Sequence, residues 1–359
     1  MSRLLIRKKI MRKIIKDIII QSFVGLIVAG VVYLIVESLI ISGIVAFTLL
    51  FLVMIKPVIL ILNKLVQRTN WYKNQLADGL KFRKQISLDL DICNLGSNSG
   101  KFAFSYEGTG LKGENWAVGP QSLSYDFRIL KNYSSYLKEG ATVLFPLCPF
   151  SSCVKDYEDD TANYKYYSFL HPILILNYSE CTKEKVMQFV NTPFQSSPLT
   201  AIKRLIKDIP AANDILLSTN SMDVESLEKD ANKYLDAWKL EFSISDLDAQ
   251  VSEQNRDCIA YNTNLLTEMI SFCLERNLKP VIVIPPVTKA LSSKFSEKFR
   301  ENYIYSFIRK VDTKQITFLN YFDDGRFADS DLYFNSFFLN AKGRRLFTNT
   351  VLRDLNLIF

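Results

Sequence analysis

The stretch Lys279-Pro280-Val281-Ile282-Val283-Ile284 is the clearest β-strand signal in the chain, and it decides the fold class. Four apolar β-branched residues follow one another here, and Pro285-Pro286 ends the run. Residues of this type favour strands, whereas consecutive prolines interrupt them. We therefore predict a strand over 279–284.

Similar short apolar segments recur along the chain. Residues 86–92 alternate strictly between apolar and polar, which is the period of a strand. Further strand candidates are 115–118, 141–147 and 316–321. Apolar residues at helical spacing predict helices over 121–139, 183–190, 198–207, 222–239, 248–277, 293–310 and 341–354. Short strands alternating with amphipathic helices predict an α/β domain with a mostly parallel sheet and helices on both faces.

Three loops follow predicted strands and are the places to look for function. In parallel sheets, ligands bind beyond the carboxyl ends of the strands. The loops that meet this description are 93–100, 146–153 and 323–340.

The N-terminal part of the chain has a different composition, because residues 18–62 are apolar almost throughout. About 20 helical residues cross the hydrocarbon core of a bilayer, so this segment is long enough for two spans. We predict transmembrane helices over about 17–36 and 40–62, joined by a tight turn around Glu37-Ser38 or Ser42-Gly43. The predicted organisation is a basic tail over 1–16, two spans within 17–62, a connector over 63–84 and one α/β domain over 85–359.

Basic residues flank the apolar segment on both sides and predict its topology. Cytoplasmic flanks favour Lys and Arg, so a hairpin with both ends in the cytoplasm of a bacterial cell is the simplest arrangement. The alternative is one long anchor followed by an interfacial helix, which would place the domain outside the cytoplasmic membrane. The flanking residues are Arg3, Arg7, Lys8, Lys9, Arg12, Lys13 and Lys16 on one side and Lys64, Arg68, Lys73, Lys81, Arg83 and Lys84 on the other.

Composition excludes several classes of function. The net charge of +7 is mostly due to the basic flanks, so it does not indicate nucleic-acid binding. The six cysteines form neither a CxxC pair nor a disulfide framework, and the single histidine leaves no metal-ligand cluster. The sequence therefore predicts reduced core thiols, with no metal and no cofactor.

Three blocks carry the signal for chemistry: Asn94-Leu95-Gly96-Ser97-Asn98-Ser99-Gly100, the segment Asn115–Asp126, and the closing segment Asp331–Gly343. In this order and strand context they resemble the SGNH/GDSL hydrolase superfamily, in particular its membrane-anchored bacterial members associated with O-acylation of cell-surface polysaccharides. The resemblance covers roughly residues 86–355. It implies a three-layer flavodoxin-like fold of the SGNH type, and an active site built from these blocks.

The first two blocks supply the nucleophile and the oxyanion donor in that family. Its first block reads Gly-x-Ser, with the serine as nucleophile. Here Gly96 matches the glycine, but the nucleophile slot falls on Asn98, and Ser97 and Ser99 stand on either side. Asn115 is the candidate oxyanion donor. Ser97 has two interpretations: a displaced nucleophile, or a serine whose side chain stabilises the turn. The second is favoured because Ser and Asn side chains hydrogen-bond to the backbone amides of turns.

The third block supplies the orienting acid and the base as Asp-x-x-His. In this chain Asn335 occupies the aspartate slot and Phe338 the histidine slot. A serine hydroxyl needs a base within hydrogen-bond reach, and a phenylalanine ring cannot accept a proton. A neutral amide cannot stabilise an imidazolium either. The resemblance therefore implies a scaffold that has lost ester hydrolysis.

Other groups are weaker candidates for catalysis. His171 precedes Pro172 outside the three loops, so a packed or hydrogen-bonded loop histidine is the favoured interpretation. Residues 108–113 match GxGxxG, but an extended segment follows them instead of a helix. A run of aspartates before the closing block predicts a solvated turn; it contains Asp323, Asp324, Asp329 and Asp331.

Three functions remain open from the sequence. The leading hypothesis is a membrane-anchored binding or assembly component of cell-envelope polysaccharide machinery, with the lipid bilayer and a membrane acyltransferase or polysaccharide-assembly protein as partners. The main rival is an active O-acyl esterase or acyltransferase that uses Ser97 or Ser99. The third is a membrane hairpin that is itself the interaction module. The flanking charges favour a cytoplasmic domain, whereas the resemblance implies an extracytoplasmic one.

Overall fold

The computed structural model describes residues 2–36, 39–83, 87–156, 163–207, 218–311 and 316–359. The chain forms two compact units. The first consists of Met1–Leu76 with Lys183–Ala211, and the second of Ala77–Thr182 with Ala212–Phe359.

Two long apolar helices begin the first unit. Helix α1 spans Ser2–Val36 and α2 spans Leu39–Val66, and the two helices contact each other. Their stretches Met11–Val32 and Ala46–Val66 are long and apolar enough to cross a membrane. Ser42 and Gly43 are helical, so the turn predicted there as one alternative is wrong, while Glu37 and Ser38 lie outside the described residues. An uninterrupted apolar helix satisfies its own backbone, and one glycine does not break it.

The segment predicted as a connector over 63–84 is mostly helical. Helix α2 runs on to Val66, and α3 spans Asn70–Arg83. Residues 67–69 separate them, and the Thr69 hydroxyl accepts the backbone N–H of Tyr72 at 3.2 Å. This side-chain cap explains how a new helix begins so soon after the previous one ends.

The second unit is built on a five-stranded sheet in which every neighbouring pair is parallel, as predicted. The spatial order is β2-β1-β3-β4-β5. Strand β4 coincides with the predicted stretch, and its five residues from Pro280 onward are buried. The strands are β1 Leu90–Asn94, β2 Gly113–Asn115, β3 Leu137–Pro146, β4 Lys279–Ile284 and β5 Thr317–Asn320.

The largest departure from the predicted elements lies before β3. The helix predicted over 121–139 ends at Tyr133, and the strand expected from residue 141 already begins at Leu137. Leu137 pairs with Leu90 of β1, so the sheet takes up residues whose spacing also suits a helix. Helical periodicity is a local signal, and pairing with a neighbouring strand overrides it here.

The other predicted helices lie close to their predicted positions, apart from the one expected over 293–310. That segment consists of a short helix at Glu297–Phe299, a π-helical turn at Arg300–Tyr305, and a second short helix at Ser306–Lys310. The short helices at 98–101, 193–196 and 289–292 were not predicted. The other helices are α4 Asn98–Lys101, α5 Leu123–Tyr133, α6 Glu180–Asn191, α7 Pro193–Ser196, α8 Pro198–Lys207, α9 Val224–Glu241, α10 Glu253–Leu274, α11 Lys289–Ser292, α12 Glu297–Phe299, α13 Ser306–Lys310 and α14 Ala341–Asp354.

Candidate functional site

A cavity of about 370 Å³ opens beyond the carboxyl ends of the strands in the second unit. All three loops that the sequence singled out contribute to its lining, and the end of α9 closes one side. Volumes of roughly 300–1,000 Å³ are usual for small-molecule sites. The described lining residues are Ser97, Asn98, Ser99, Pro120, Gln121, Leu123, Asp126, Pro146, Cys148, Phe150, Ser151, Val154, Tyr234, Trp238, Glu241, Phe242, Phe337 and Phe338.

Aromatic rings form one wall of this cavity. Trp238 of α9 meets Phe337 edge-on with ring centroids 4.9 Å apart, and it lies 5.4 Å from Tyr234. Phe242 stacks on the buried ring of Phe150 at 5.1 Å. Tyr234, Trp238 and Phe242 are only partly buried, so this wall presents aromatic surface to the cavity. The sequence analysis missed this contribution of α9, although Tyr234 and Trp238 stand four residues apart on one helical face.

The first loop forms a tight connection from β1 to α4. Gly96 has a φ of +104°, which favours glycine, and its N–H donates to Asp126 at 2.7 Å. Ser97 accepts the backbone N–H of Gln121 on its hydroxyl at 3.0 Å, so this side chain joins two loops. Ser99 is buried beside it, at 9% exposure. Among the described residues, neither hydroxyl donates to a carboxylate or an imidazole.

Asn98, on which the resemblance would place the nucleophile, is packed against a neighbouring loop. A Cβ at Gly119 would lie 1.6 Å from the Asn98 Oδ1 atom, so the close approach requires glycine at 119. An amide in this position has no nucleophilic hydroxyl. The chain thus places a carboxamide in the cavity lining where the resemblance implies a reactive serine.

Asn115 lies at the end of β2, and its side chain is committed to the protein's own backbone. Its Nδ2 group is within hydrogen-bond distance of the carbonyls of Gly100, Lys101 and Phe104, at 3.1–3.2 Å. Its Oδ1 atom accepts the N–H of Ala117 at 3.1 Å. Asn115 is not among the described residues that line the cavity. In this geometry its amide holds the first loop against β2.

Asn335 and Phe338 lie in the closing loop, and both are held by contacts with that loop and with other elements. The Asn335 Oδ1 atom accepts the N–H groups of Phe337 at 3.0 Å and Phe338 at 2.7 Å, and its Nδ2 group donates to the Tyr234 hydroxyl at 3.1 Å. Phe338 stacks on Phe102 with centroids 4.6 Å apart. The two positions to which the resemblance assigns the acid and the base therefore hold a turn-forming amide and a stacked ring.

The weaker candidates lie elsewhere. His171 is exposed, and its Nδ1 atom accepts the N–H of Ile173 at 3.4 Å. Asp323 pairs with Arg300, and Asp324 pairs with Arg326. Hydrogen bonds to Asp329 and Asp331 stabilise the turn, since Asp329 accepts the Asp331 N–H at 2.9 Å and Asp331 accepts the Ser221 hydroxyl at 3.4 Å. None of these five is among the described lining residues of the cavity.

Asp126 of α5 is a cavity residue that the sequence analysis quoted but gave no role. It is 4% exposed, and its Oδ1 atom also accepts the Gln121 side-chain N–H. Burial raises the pKa of Asp126 to about 7, against the hydrogen bonds from Gly96 and Gln121 and the charge of Lys81. Burial likewise lowers the pKa of Lys81 to about 7. The signal was available, because a carboxylate stands at helical spacing among Leu123 and Leu130.

Substituting Asp126 by asparagine tests this burial. The asparagine keeps an oxygen for Gly96 and Gln121 but cannot ionise. The pKa of Asp126 is raised to about 7 in the folded state, whereas in the unfolded chain it is about 4. Between these two pH values only the unfolded chain releases the proton, so the wild type loses stability as the pH rises through this range. Between about pH 5 and about pH 8, urea unfolding in micelles should show the variant gaining roughly 1–3 kcal/mol relative to the wild type.

The exposed change Asp236→Asn on α9 is the matched control for the unfolding measurement. A stability difference between Asp126→Asn and the wild type that stays constant across this pH range would contradict a buried, protonated Asp126. Lys81 is the charged group that acts on Asp126. Asp78, Lys101 and Glu114 act in turn on Lys81, and all four are present in both proteins.

The described residues contain no group of three His, Cys, Asp or Glu side chains placed to hold a metal ion. No protein-family model matches the chain, and no curated protein matches it significantly. What the site can do therefore follows from its own geometry. Aromatic faces, neutral amides, hydroxyls and two carboxyl groups suit the binding of a polar organic molecule.

Proposed function

We propose that this chain is a membrane-anchored, SGNH-hydrolase-like protein that does not hydrolyse esters and acts as a binding or assembly component of cell-envelope polysaccharide machinery. One observation carries the proposal. The cavity at the strand ends is open and aromatic, yet Asn335 and Phe338 fill the acid and base slots with a turn amide and a stacked ring.

The fold supports the resemblance on which part of the proposal rests. The strand order 2-1-3-4-5 is the order of flavodoxin-like doubly wound sheets, whose ligands bind at the carboxyl ends of the strands. The first loop follows β1 and the closing loop precedes α14, which is the chain order that the SGNH resemblance implies.

Among the described residues, no imidazole or carboxylate is hydrogen-bonded to Ser97 or Ser99, which argues against acyl chemistry. Ser97 receives a hydrogen bond from Gln121 on its hydroxyl oxygen, and among the described residues no imidazole lines the cavity. Without a base to take its proton, a serine hydroxyl is a weak nucleophile at neutral pH. Asn115, the candidate oxyanion donor, has its Nδ2 group turned to backbone carbonyls.

The cavity's chemistry indicates what it binds. Its described lining contains the carboxyl groups of Asp126 and Glu241 but no lysine or arginine. Such a lining offers no positively charged partner to an anionic ligand, and its rings and amides offer both apolar contact and hydrogen bonds. We therefore expect a neutral or amine-bearing sugar unit, seated against Trp238 and Tyr234, rather than a phosphate or a uronic acid.

Anchoring is the second part of the proposal. Large apolar side chains face outward between Met11 and Val31 in α1 and between Phe47 and Leu65 in α2; Phe23 is 65% exposed, Leu26 72% and Phe47 70%. Water would disfavour an apolar surface of this size, whereas lipid would cover it. We propose insertion in a bacterial cytoplasmic membrane with the second unit in the cytoplasm, and a membrane acyltransferase or polysaccharide-assembly protein as partner. A reporter enzyme that works only outside the cytoplasm, fused to the C-terminus, should therefore be inactive. Activity of this fusion would contradict the cytoplasmic location of the second unit.

Activity-based labelling of the full chain in nanodiscs tests the loss of chemistry. We expect no adduct of a fluorophosphonate probe on Ser97 or Ser99. Any hydrolysis of p-nitrophenyl acetate should be the same in the wild type and in Ser97→Ala. An adduct mapped to either serine would overturn the proposal. A serine esterase of known activity, treated in parallel, shows that the probe is reactive.

Titration with envelope oligosaccharides tests binding in the same preparation. Trp238 lines the cavity, so ligand should change tryptophan fluorescence, and Trp238→Phe should remove most of that change. The matched control is Leu240→Ala, since Leu240 is 84% exposed and outside the cavity lining. Equal responses from both variants would count against binding at this cavity.

One observation favours a second candidate function. Asp126 lines the cavity with a pKa near 7, which is suitable for a general base. An esterase or acyltransferase could use it with Ser97 or Ser99. This function predicts a fluorophosphonate adduct that Asp126→Asn suppresses, whereas the binding function predicts no adduct in either protein.

A further inference from the structure

Helix α8, Pro198–Lys207, presents an uncovered apolar face. Leu199 is 78% exposed, Ile202 46% and Ile206 71%, and the spacing of these residues places them on one side of the helix. Ala201, on a different side, is fully buried. Helix α8 is thus amphipathic, but its large apolar side chains are the exposed ones.

Basic residues border this face. Lys203, Arg204 and Lys207 are exposed and follow the apolar side chains around the helix, and α8 contains no acidic residue. An amphipathic helix with an apolar face and Lys or Arg on its polar side is the usual form of a helix that lies in the membrane interface. The charges complement anionic lipid headgroups.

The position of α8 in the first unit places it beside the end of the second apolar helix. The Asn63 side chain of α2 accepts the N–H of Phe194 at 2.9 Å and donates to Gln195 at 3.4 Å. Nearby, the Tyr72 hydroxyl donates to the carbonyl of Val190 at 2.6 Å. Helices α7 and α8 both contact α2. The chain therefore holds α8 at the point where the membrane-crossing stretch of α2 ends at Val66.

We propose that α8 lies in the headgroup region of the bilayer, with Leu199, Ile202 and Ile206 inserted among the lipids and its basic residues on anionic phospholipid. The inference rests on the proposed membrane anchoring, but on neither the cavity nor its ligand. It assigns a second membrane contact to the chain, about 130 residues beyond the spans in sequence. Such a contact would hold the segment 183–207 of the first unit at the membrane surface.

Lipid photocrosslinking of the full chain in nanodiscs tests this contact and the anchor separately. The probe is a diazirine-bearing phosphatidylglycerol, and adducts are mapped by mass spectrometry. We expect adducts on peptides from α1 and α2, and also on the peptide containing 198–207. In Leu199→Asp/Ile206→Asp, adducts on the α8 peptide should fall at least about fivefold while those on the spans remain.

The matched control is Val224→Asp/Leu240→Asp, which removes two equally exposed apolar side chains from α9. It should leave the α8 adducts unchanged. Tryptophan fluorescence of both variants, unchanged from the wild type, shows that they fold. When both the probe and the nanodisc lipid are changed from phosphatidylglycerol to phosphatidylcholine, the yield of α8 adducts should fall. The expected decrease is up to about fivefold for each basic residue that contacts the anionic surface.

The outcomes separate the two ideas. Adducts on the spans with none on α8 above the α9 background would overturn this inference and leave the anchor standing; a protein partner or a second copy covering α8 would give that result. Adducts on α8 with none on the spans would overturn the transmembrane hairpin, and with it the assignment of α8 as a second membrane contact beside that hairpin.

Discussion

Replacing Gly343 by alanine is expected to destabilise the second unit by about 3 kcal/mol or more. A Cβ at this position would lie 2.0 Å from the backbone oxygen of Leu332 and 2.9 Å from the Leu339 side chain. The Leu332 carbonyl cannot simply turn away, because it accepts the N–H of Asn340 at 2.9 Å. Gly343 is what allows the first turn of α14 to pack directly on the backbone of the closing loop.

Urea unfolding of the purified chain in micelles, followed by tryptophan fluorescence, measures this loss. Gly325→Ala is the matched control, since nothing lies within 4 Å of a Cβ there and the change should stay within about 0.5 kcal/mol. If both variants unfold at the wild-type urea concentration, the close packing of α14 on the loop is wrong. The same variant should also lower ligand binding, because the loop that it displaces carries Phe337 and Phe338.

Removal of the Phe150 ring should have a comparable effect, about 3–5 kcal/mol. Phe150 is 1% exposed, and its ring centroid lies 5.0 Å from that of Phe299 and 5.2 Å from that of Trp238. It supports the aromatic wall from behind. Phe150→Ala leaves a void next to the cavity, so we expect lower stability together with weaker binding of oligosaccharide.

Phe359→Ala is the control for Phe150→Ala, because it removes the same ring from an exposed position at the C-terminus. Unfolding and fluorescence titration of both variants are to be compared in the same micelles. Unchanged stability of Phe150→Ala would show that the wall does not depend on this ring. Lower stability with unchanged binding would show that the ligand contacts other parts of the cavity.

Local patterns in the sequence were sufficient for much of the fold. The apolar run 279–284 and the amphipathic segments 198–207 and 341–354 form the predicted elements at the predicted residues. Each has a consistent apolar pattern and a clear boundary, such as the prolines that end β4 or the capping Asn340 that starts α14. Alternation of strands and helices also gave the parallel sheet, and hydropathy gave the two apolar helices.

The position of the candidate site followed from the same patterns. Because strands of a parallel sheet end at the same edge, the three loops after β1, β3 and β5 were expected to meet, and residues of all three line the cavity. Asn335 and Phe338 were recognised from the closing block. Their partners were not, because Tyr234 and Phe102 are far from them in sequence.

The sequence by itself determined the elements whose residues have one consistent period, the parallel sheet, the edge where the loops gather and the apolar character of α1 and α2. Only the tertiary structure decided that α9 supplies an aromatic wall, that Asp126 is buried beside Lys81, that β3 begins at Leu137, and that α6 to α8 return to the end of α2. The physical reason is the range of the interactions. Period and capping depend on neighbours within one or two turns, whereas burial, strand pairing and ring contacts depend on residues that only folding brings together.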